Sequence, residues 1–310
     1  MKLSIITVNY NGLDDTCALI ESIPFGTLPM EVIVVDNGSR RDEAAMIASR
    51  YPQVKAIRSD TNLGFAGGNN LGIRAATGNY LFLINNDTLM TPPAPGVEAP
   101  HESMEPPQQS IEAPQALEQL IARMEGNKKI GIVCPKIRFA WHPMPIQFAG
   151  YTELSPVTLR NRAIGFGEED HGQHDTPHPT PYAHGAAMLV SREAIDAAGL
   201  MPECYFLYYE ELDWSLRFRQ AGYDIWYDPR LTIYHKESQS TGQDSPLKAY
   251  YISRNRLLFA RRNVSMPKRL LTYLYLTGAV MLRDISRNLL TNHPAQARDT
   301  LRGVCDFIKH

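Results

Sequence analysis

The chain has 310 residues, 44% hydrophobic and 21% charged, with a formal net charge of -2. That length can bury one large core or two modest ones, and the near-neutral balance excludes a general attraction to nucleic acid, so a polyanionic partner has to meet a local patch. Cys17, Cys134, Cys204 and Cys305 are too scattered for a zinc knuckle or a disulfide framework. With no signal-peptide pattern and no run of the roughly 20 apolar residues that span a bilayer, the expectation is a cytoplasmic protein.

The first apolar run, LSIITV at residues 3–8, is nearly continuous, as a parallel strand covered on both faces requires. Asn9, Tyr10, Asn11 and Gly12 end it, and Asp14 and Asp15 open a helix whose apolar face is Leu19, Ile20 and Ile23. A second strand over 31–35 stops at Asp36, Asn37, Gly38 and Ser39, and a helix over 44–50 follows. A third, over 54–57, runs into a glycine-rich turn, residues 60–70, that lets backbone approach a ligand. The helix after it, from Leu71 to a cap at Gly78, can face an anion with its amino end. The fourth strand, YLFLI at 80–84, ends in Asn85, Asn86 and Asp87. Polar residues thus fall at one strand end after another, where ligands gather in an open α/β sheet, although Asn-Asn-Asp also simply turns a chain. Repeated β-α units predict a Rossmann-like α/β fold, a mostly parallel sheet flanked by helices.

Residues 91–114 contain seven prolines and few large aliphatic side chains. This predicts a proline-rich insertion over 91–116, either a flexible segment or an ordered lid. Helical periodicity returns over 117–124, and a strand follows over 131–137. From 139 to 181 the pattern weakens; His142, His171, His174 and His178 have none of the compact spacings of a zinc site, and the stretch reads as solvated loop. A strand over 186–190 leads to a helix over 192–198, capped by Ser191 and stopped at Gly199. The next helix carries Glu210, Glu211 and Asp213 in its first turn, complementing the positive end of its dipole. Glu210 and Asp213 share a face with Arg217 and can pair with it, whereas Glu211 points elsewhere. Short strands over 225–227 and 231–235 end at His235. A basic, aromatic helix over 250–263 and a second over 267–290 with a broad apolar surface form a C-terminal helical region, 246–310, beyond an α/β domain of 1–245.

VDNGS at 35–39, NLGFAGGNN at 62–70, NND at 85–87 and YYEELDWSLRFRQAGY at 208–223 occur in this order. Together they resemble family 2 glycosyltransferases of the GT-A fold, most of all the bacterial rhamnosyltransferase and galactofuranosyltransferase branches, from Lys2 to about Asn263. The resemblance implies that Thr7, Val8, Asn9, Tyr10 and Asp36 hold a nucleotide base and ribose. It places Asn62, Gly67 and Asn70 of the Asn-Gly-rich turn, with Arg74 and Asn86, beside the nucleotide and its phosphates. Asp87 matches the last carboxylate of the family's DxD-type metal motif, Asn85 replaces its first acid, and His235 matches a histidine that completes the metal site. Mg2+ or Mn2+ suits that set. Glu211 falls where the family has its catalytic Asp, so the side chain is one methylene longer, and Asp213 is the alternative base.

The implied activity is an inverting, metal-dependent transfer of a sugar, such as L-rhamnose, from a dTDP- or UDP-linked donor to a hydroxyl of a glycan or lipid-linked glycan. The setting is cell-surface polysaccharide synthesis. A dinucleotide-dependent oxidoreductase would need GxGxxG after the first strand, where this chain has NYNG. A non-catalytic sugar-nucleotide-binding protein would tolerate loss of Asp87 and Glu211, and both acids are present. Arg261, Arg262, Lys268 and Arg269 beside the apolar residues 270–282 lead to two readings of the C-terminal helices: docking on the inner face of the cytoplasmic membrane, or packing on the catalytic domain or a second subunit of a homo-oligomer.

Overall fold

The early apolar runs are strands buried on both faces, which is why their hydrophobicity does not alternate. The computed structural model describes residues 2–26, 28–93, 112–237 and 245–309. In it β1 (Leu3–Asn9), β2 (Met30–Asn37), β3 (Val54–Ser59) and β4 (Tyr80–Ile84) lie in parallel, connected through α1 (Leu13–Ser22), α2 (Glu43–Arg50) and α3 (Gly64–Ala75). Then come β5 (Thr88–Leu89), α4 (Ala113–Gly126), β6 (Ile130–Phe139), β7 (Ile146–Phe148), β8 (His178–Pro179), β9 (Ala187–Ser191), α5 (Arg192–Ala198), α6 (Glu210–Gln220) and β10 (Asp224–His235). The main path of the sheet is β3-β2-β1-β4-β9-β6-β10-β5. It is parallel through its first four strands and between β6 and β10, but β9 runs antiparallel to both β4 and β6. An antiparallel strand needs no crossover helix, so β9 can be reached from the long loop before it.

Three departures from the sequence pattern have local causes. Residues 225–227 and 231–235 belong to one strand, β10; a register shift between Asp228 and Thr232 takes up Pro229, which has no N–H to offer the ladder. The stretch 139–181 is not all solvated loop, because Ile146, Gln147 and Phe148 of β7 are buried; three residues are too few to show a period. Helix α3 starts at Gly64, well before Leu71, so Gly67 and Asn70 are helical rather than part of a turn. Its glycines conceal the helix in the sequence and serve close packing. A Cβ on Gly72 would stand 2.4 Å from Ile6 Cγ2, and one on Gly68 would stand 2.7 Å from Val8 Cγ1. Of the proline-rich insertion, Ala113 and Pro114 open α4, where proline suits the first turn; the reading of 94–111 falls outside the described residues.

The C-terminal region consists of α7 (Pro246–Asn263), α8 (Lys268–Leu274), a π-helical turn (Tyr275–Val280), α9 (Met281–Leu290) and α10 (Pro294–Lys309). The last of these is not evident in the sequence pattern. These helices share a second hydrophobic cluster, in which Leu257, Leu258, Phe259, Leu276, Val280 and Val304 meet Tyr205 and Tyr209 from the segment leading into α6. Polar anchors complete the junction. Asp213 Oδ2 accepts hydrogen bonds from Tyr205 Oη at 2.7 Å, Arg262 Nε at 2.8 Å and Asn263 Nδ2 at 3.1 Å, while Oδ1 accepts from Arg217 Nε at 2.9 Å. Asn255 Nδ2 donates to the carbonyls of Tyr205, Leu207 and Tyr208 at 2.6–3.1 Å.

Gly72→Ala should destabilise the protein by about 1–3 kcal/mol, because Ile6 is β-branched and fully buried and has little room to yield. Asp213→Ala should cost about 3–5 kcal/mol by breaking a buried charge network. Urea unfolding of the two variants measures both, and parental midpoints would show that neither contact matters.

Candidate active site

The carboxyl ends of β1, β2, β4 and β10 and the amino end of the antiparallel β9 meet along one rim. At the β1 end the expected ligand-binding residues are largely occupied with each other. Asn9 donates to Glu43 Oε2 at 2.8 Å and accepts from Gly12 N–H and Thr16 Oγ1. Asp36, fully buried, accepts from Ser39 N–H and Ala44 N–H and from Arg58 Nη1 at 2.6 Å. These bonds shape the loops after β1 and β2, so both side chains hold the rim in place from below. Thr7 Oγ1 is buried with no hydrogen-bond partner among the described residues, Val8 lies beneath Gly68, and Tyr10 is 46% exposed at the edge. Asn62 accepts from Asn37 Nδ2 and from Gly64 N–H, which ties the start of α3 to the end of β2.

Three other residues expected beside the nucleotide point inward or lie elsewhere. Asn70 is consumed by Met201 N–H, the Met201 carbonyl and Glu203. Asn86 donates to Thr16 Oγ1 at 3.1 Å and braces α1. Arg74 is in the last turn of α3, about 15 Å along the axis from Gly64, and pairs with Glu203 at 3.6 Å. The helix runs back from the rim, so the phosphate role expected for Arg74 is not supported.

At the β4 end the chain turns sharply: Asn85 N–H donates to the Ala186 carbonyl at 2.9 Å, and Thr88 Oγ1 donates to the Asn85 carbonyl. Lys236 N–H donates to the Asp87 carbonyl, and Thr88 pairs with His235, so β5 and β10 present Asp87 and His235 together. Their side chains are nearly buried, and His235 Nε2 stands 3.2 Å from Asp87 Oδ1. His235 Nδ1 lies 2.8 Å from Gln147 Oε1. An amide oxygen only accepts, so Nδ1 carries the ring proton and the Nε2 lone pair faces the carboxylate. Nε2 has no hydrogen-bond partner among the described residues. Two acceptors turned on one point call for positive charge between them, either a second ring proton or a cation, and the mixed nitrogen and oxygen donors fit a divalent cation. No group of three or more His, Cys, Asp or Glu side chains suited to a metal occurs among the described residues. A cation here would therefore need ligands other than acidic, histidine or cysteine side chains to complete its shell, Asn85 or groups of a bound substrate among them.

The third component is α6. Phe206, Tyr208 and Tyr209 precede it with φ of 67°, 68° and 78°, left-handed values that side chains rarely take. The bonds from Asn255 hold this segment and thereby aim the first turn of α6. Glu211 lies against Gly185, where a Cβ would stand 4.0 Å from Glu211 Cγ. Burial pushes its carboxyl up to about 7, against weaker opposing hydrogen bonds from the backbone of Glu211 and Tyr209. Glu210 is pushed well above the usual range by burial and then by Glu211, and its Oε2 has no partner, so the expected pairing with Arg217 is made by Asp213 alone. Burial would also raise Asp213, but hydrogen bonds from Arg262, Tyr205 and Asn263 outweigh it and hold the carboxyl low. With every acceptor position filled, Asp213 is an anchor and not the alternative base.

Sequence reasoning missed Gln147, His184 and Glu210. His184 Nδ1 accepts from Ala186 N–H at 3.1 Å, and burial, then nearby His235, push the imidazole down to about 3, so it stays neutral. Its place immediately before the β9 strand run was the available signal; Gln147 had none.

Residues 4–95 match the family model for glycosyl transferase family 2. The chain is 25% identical over 257 residues to a low-salt glycan biosynthesis hexosyltransferase of Haloferax volcanii, covering 83% of this chain and 74% of that protein. It is 26% identical over 259 residues to an N-acetylglucosaminyl-diphospho-decaprenol L-rhamnosyltransferase of Mycobacterium tuberculosis, covering 81% and 82%. Among solved structures, a Pyrobaculum calidifontis mannosyltransferase in complex with GDP-Man and Mn2+ superposes with a TM-score of 0.54 at 16% identity, over 96% of this chain and 73% of that one. With its mixed sheet, flanking helices and ordered strand-end motifs, the chain has the GT-A fold, and its first third is similar to the family 2 glycosyltransferases.

Proposed function

We propose that this glycosyltransferase moves a sugar, with L-rhamnose the first candidate, from a dTDP- or UDP-linked donor to a hydroxyl of a glycan or lipid-linked glycan, with inversion at the anomeric carbon. The observation that carries the reading is the arrangement around Gly185 and Ala186. Glu211 rests against one of these residues, and the turn bearing Asp87 is hydrogen-bonded to the other. The rhamnosyl donor and the lipid-linked acceptor are supported by the name of the mycobacterial relative, and a nucleotide-sugar donor with a divalent cation by the ligands of the Pyrobaculum structure.

In this reading the loops after β1 and β2 seat the nucleotide, with Asp36 and Asn9 keeping those loops rigid. Asp87 and His235 would hold Mg2+ or Mn2+, with Asn85 adjoining, and Gln147 fixes the His235 tautomer that leaves Nε2 as the donor atom. Such a cation supplies countercharge to a diphosphate leaving group. Glu211 Oε takes the proton of the acceptor hydroxyl as that oxygen attacks the anomeric carbon from the face opposite the diphosphate. A base with a pKa near 7 holds a proton strongly enough to accept it in the transition state, yet is largely ionised just above neutrality. Glu210 beside it is more deeply buried, and burial and then Glu211 push its carboxyl upward, which disfavours a second negative charge there.

Glu211→Gln should lower kcat by about 10²–10⁴ while the donor still raises the melting temperature as in the parent. Turnover near the parental rate would move the base elsewhere. Because the base must be ionised, kcat/KM should rise with pH through about 7 and level off above it, and a flat profile from pH 5 to 9 would contradict the assignment. Separately, Asp87→Asn and His235→Ala should each abolish the part of the donor-induced melting shift that requires Mg2+ or Mn2+. If the shift persists unchanged, a second ring proton, not a cation, bridges the pair.

A further inference from the structure

The C-terminal helices have two faces with different partners. Residues 268–290 run as a single helical rod of about 34 Å, because the backbone remains right-handed helical on both sides of the π turn. Its inner face, with Thr272, Leu276 and Val280 buried, packs into the second cluster beside α7 and α10. Its outer face carries Leu270, Leu271, Leu274, Leu282, Leu289 and Leu290, which are 52–87% exposed. In α9 no residue is buried at all.

The π turn aligns this face. Eight residues of regular α-helix would rotate Leu282 about 80° from Leu274, whereas a wider turn advances fewer degrees per residue and winds Leu282 back toward the side of Leu270 and Leu274. Lys268, Arg269, Arg283 and Arg287 accompany the leucines, against one acid, Asp284, which pairs with Arg283. An apolar stripe with basic residues along it is the pattern of a helix lying in the plane of a membrane interface. No helix among the described residues is long and apolar enough to cross a bilayer, so the rod would lie on the surface and not enter it.

We propose that the outer face of residues 268–290 docks flat on a lipid surface bearing anionic headgroups. Charge decides between that occupant and a second copy of the chain. A two-fold interface sets the same patch against itself, which would bring Lys268, Arg283 and Arg287 toward their own counterparts with a single, already paired acid to offset them. Anionic headgroups complement all of these cations while the leucine side chains enter the acyl boundary. The rod packs on α7, and α7 is fastened to α6 through Asp213, so docking would hold the Glu211 rim at a fixed attitude to the lipid plane.

The test is flotation of the full chain with phosphatidylcholine vesicles, alone or containing about one third phosphatidylglycerol. Binding should be confined to the anionic vesicles and weaken as salt is raised. Arg283→Gln/Arg287→Gln should weaken it about twentyfold, from a contribution of about fivefold per arginine. Leu274→Glu/Leu282→Glu should abolish it, and both variants should keep the parental unfolding midpoint in urea, since these side chains are on the open face. Absence of binding to either vesicle, equal binding to both, or parental binding by the leucine variant would each overturn the proposal. Light scattering that shows a dimer dissociated by the leucine variant, with no flotation of the parent, would overturn it in favour of a second copy.

Discussion

The geometry of the site depends on how α6 is seated, and that rests on Asp213. Its buried carboxylate receives four donors from three places: Tyr205 in the approach to α6, Arg217 within α6, and Arg262 and Asn263 at the end of α7. Four is about the full acceptor capacity of a carboxylate. Charge-assisted bonds of this kind contribute roughly 1.5–3 kcal/mol each, and the segment they secure is unfavourable by itself. Left-handed backbone at Phe206, Tyr208 and Tyr209 costs about 1–2 kcal/mol per residue, so the loop would relax without the bonds from Asp213 and Asn255. The C-terminal helices therefore help seat α6 as well as lying beside it, since they supply Asn255, Arg262 and Asn263.

Three carboxylates within four residues, Glu210, Glu211 and Asp213, end in three electrostatic states. All lie in the first turn of one helix, where the dipole favours negative charge by up to about 1 kcal/mol at an ordinary surface. That contribution is common to all of them and cannot separate them. What separates them is solvation and partners: Asp213 exchanges water for two guanidinium groups, a phenol and an amide and stays ionised. Glu210 exchanges water for very little, and burial pushes its carboxyl well above the usual range. Glu211 retains some exposure, has no competing cation and comes to rest near neutrality, which is the value a base needs at physiological pH.

The first half of the fold was legible because its signals are local. Strands of five to eight residues, nearly continuous in apolar residues in β1, β2 and β4 and each closed by polar residues, read directly as β1 to β4. Asp87 and Glu211 belong to the ordered motifs and His235 ends a strand, and the structure puts Asp87 beside His235 and Glu211 in a first helical turn. Harder to see was whatever depends on distant packing. The glycines of α3 weaken its helical pattern for the sake of contact with Ile6 and Val8, and β7 is too short to announce itself although Gln147 controls His235. Sequence spacing also grouped residues by motif where structure divides them by direction: Asn62 and Arg74 lie twelve positions apart in and just after the Asn-Gly-rich stretch, yet α3 carries the second well away from the rim.

The antiparallel strand is what makes the two halves of the site meet. Were β9 parallel to β4, its carboxyl end would stand beside Asn85, and the loop bearing His184 and Gly185 would emerge at the opposite edge of the sheet. Reversed, β9 begins at the rim, and Ala186 accepts the Asn85 N–H while Gly185 leaves room for Phe65 on one side and Glu211 on the other. One strand start thus sets the spacing between the turn that carries Asp87 and the helix that carries Glu211. A Cβ at position 185 would stand at ordinary contact distance from both Phe65 of α3 and Glu211 of α6, so this one residue is where the start of β9, α3 and α6 come together.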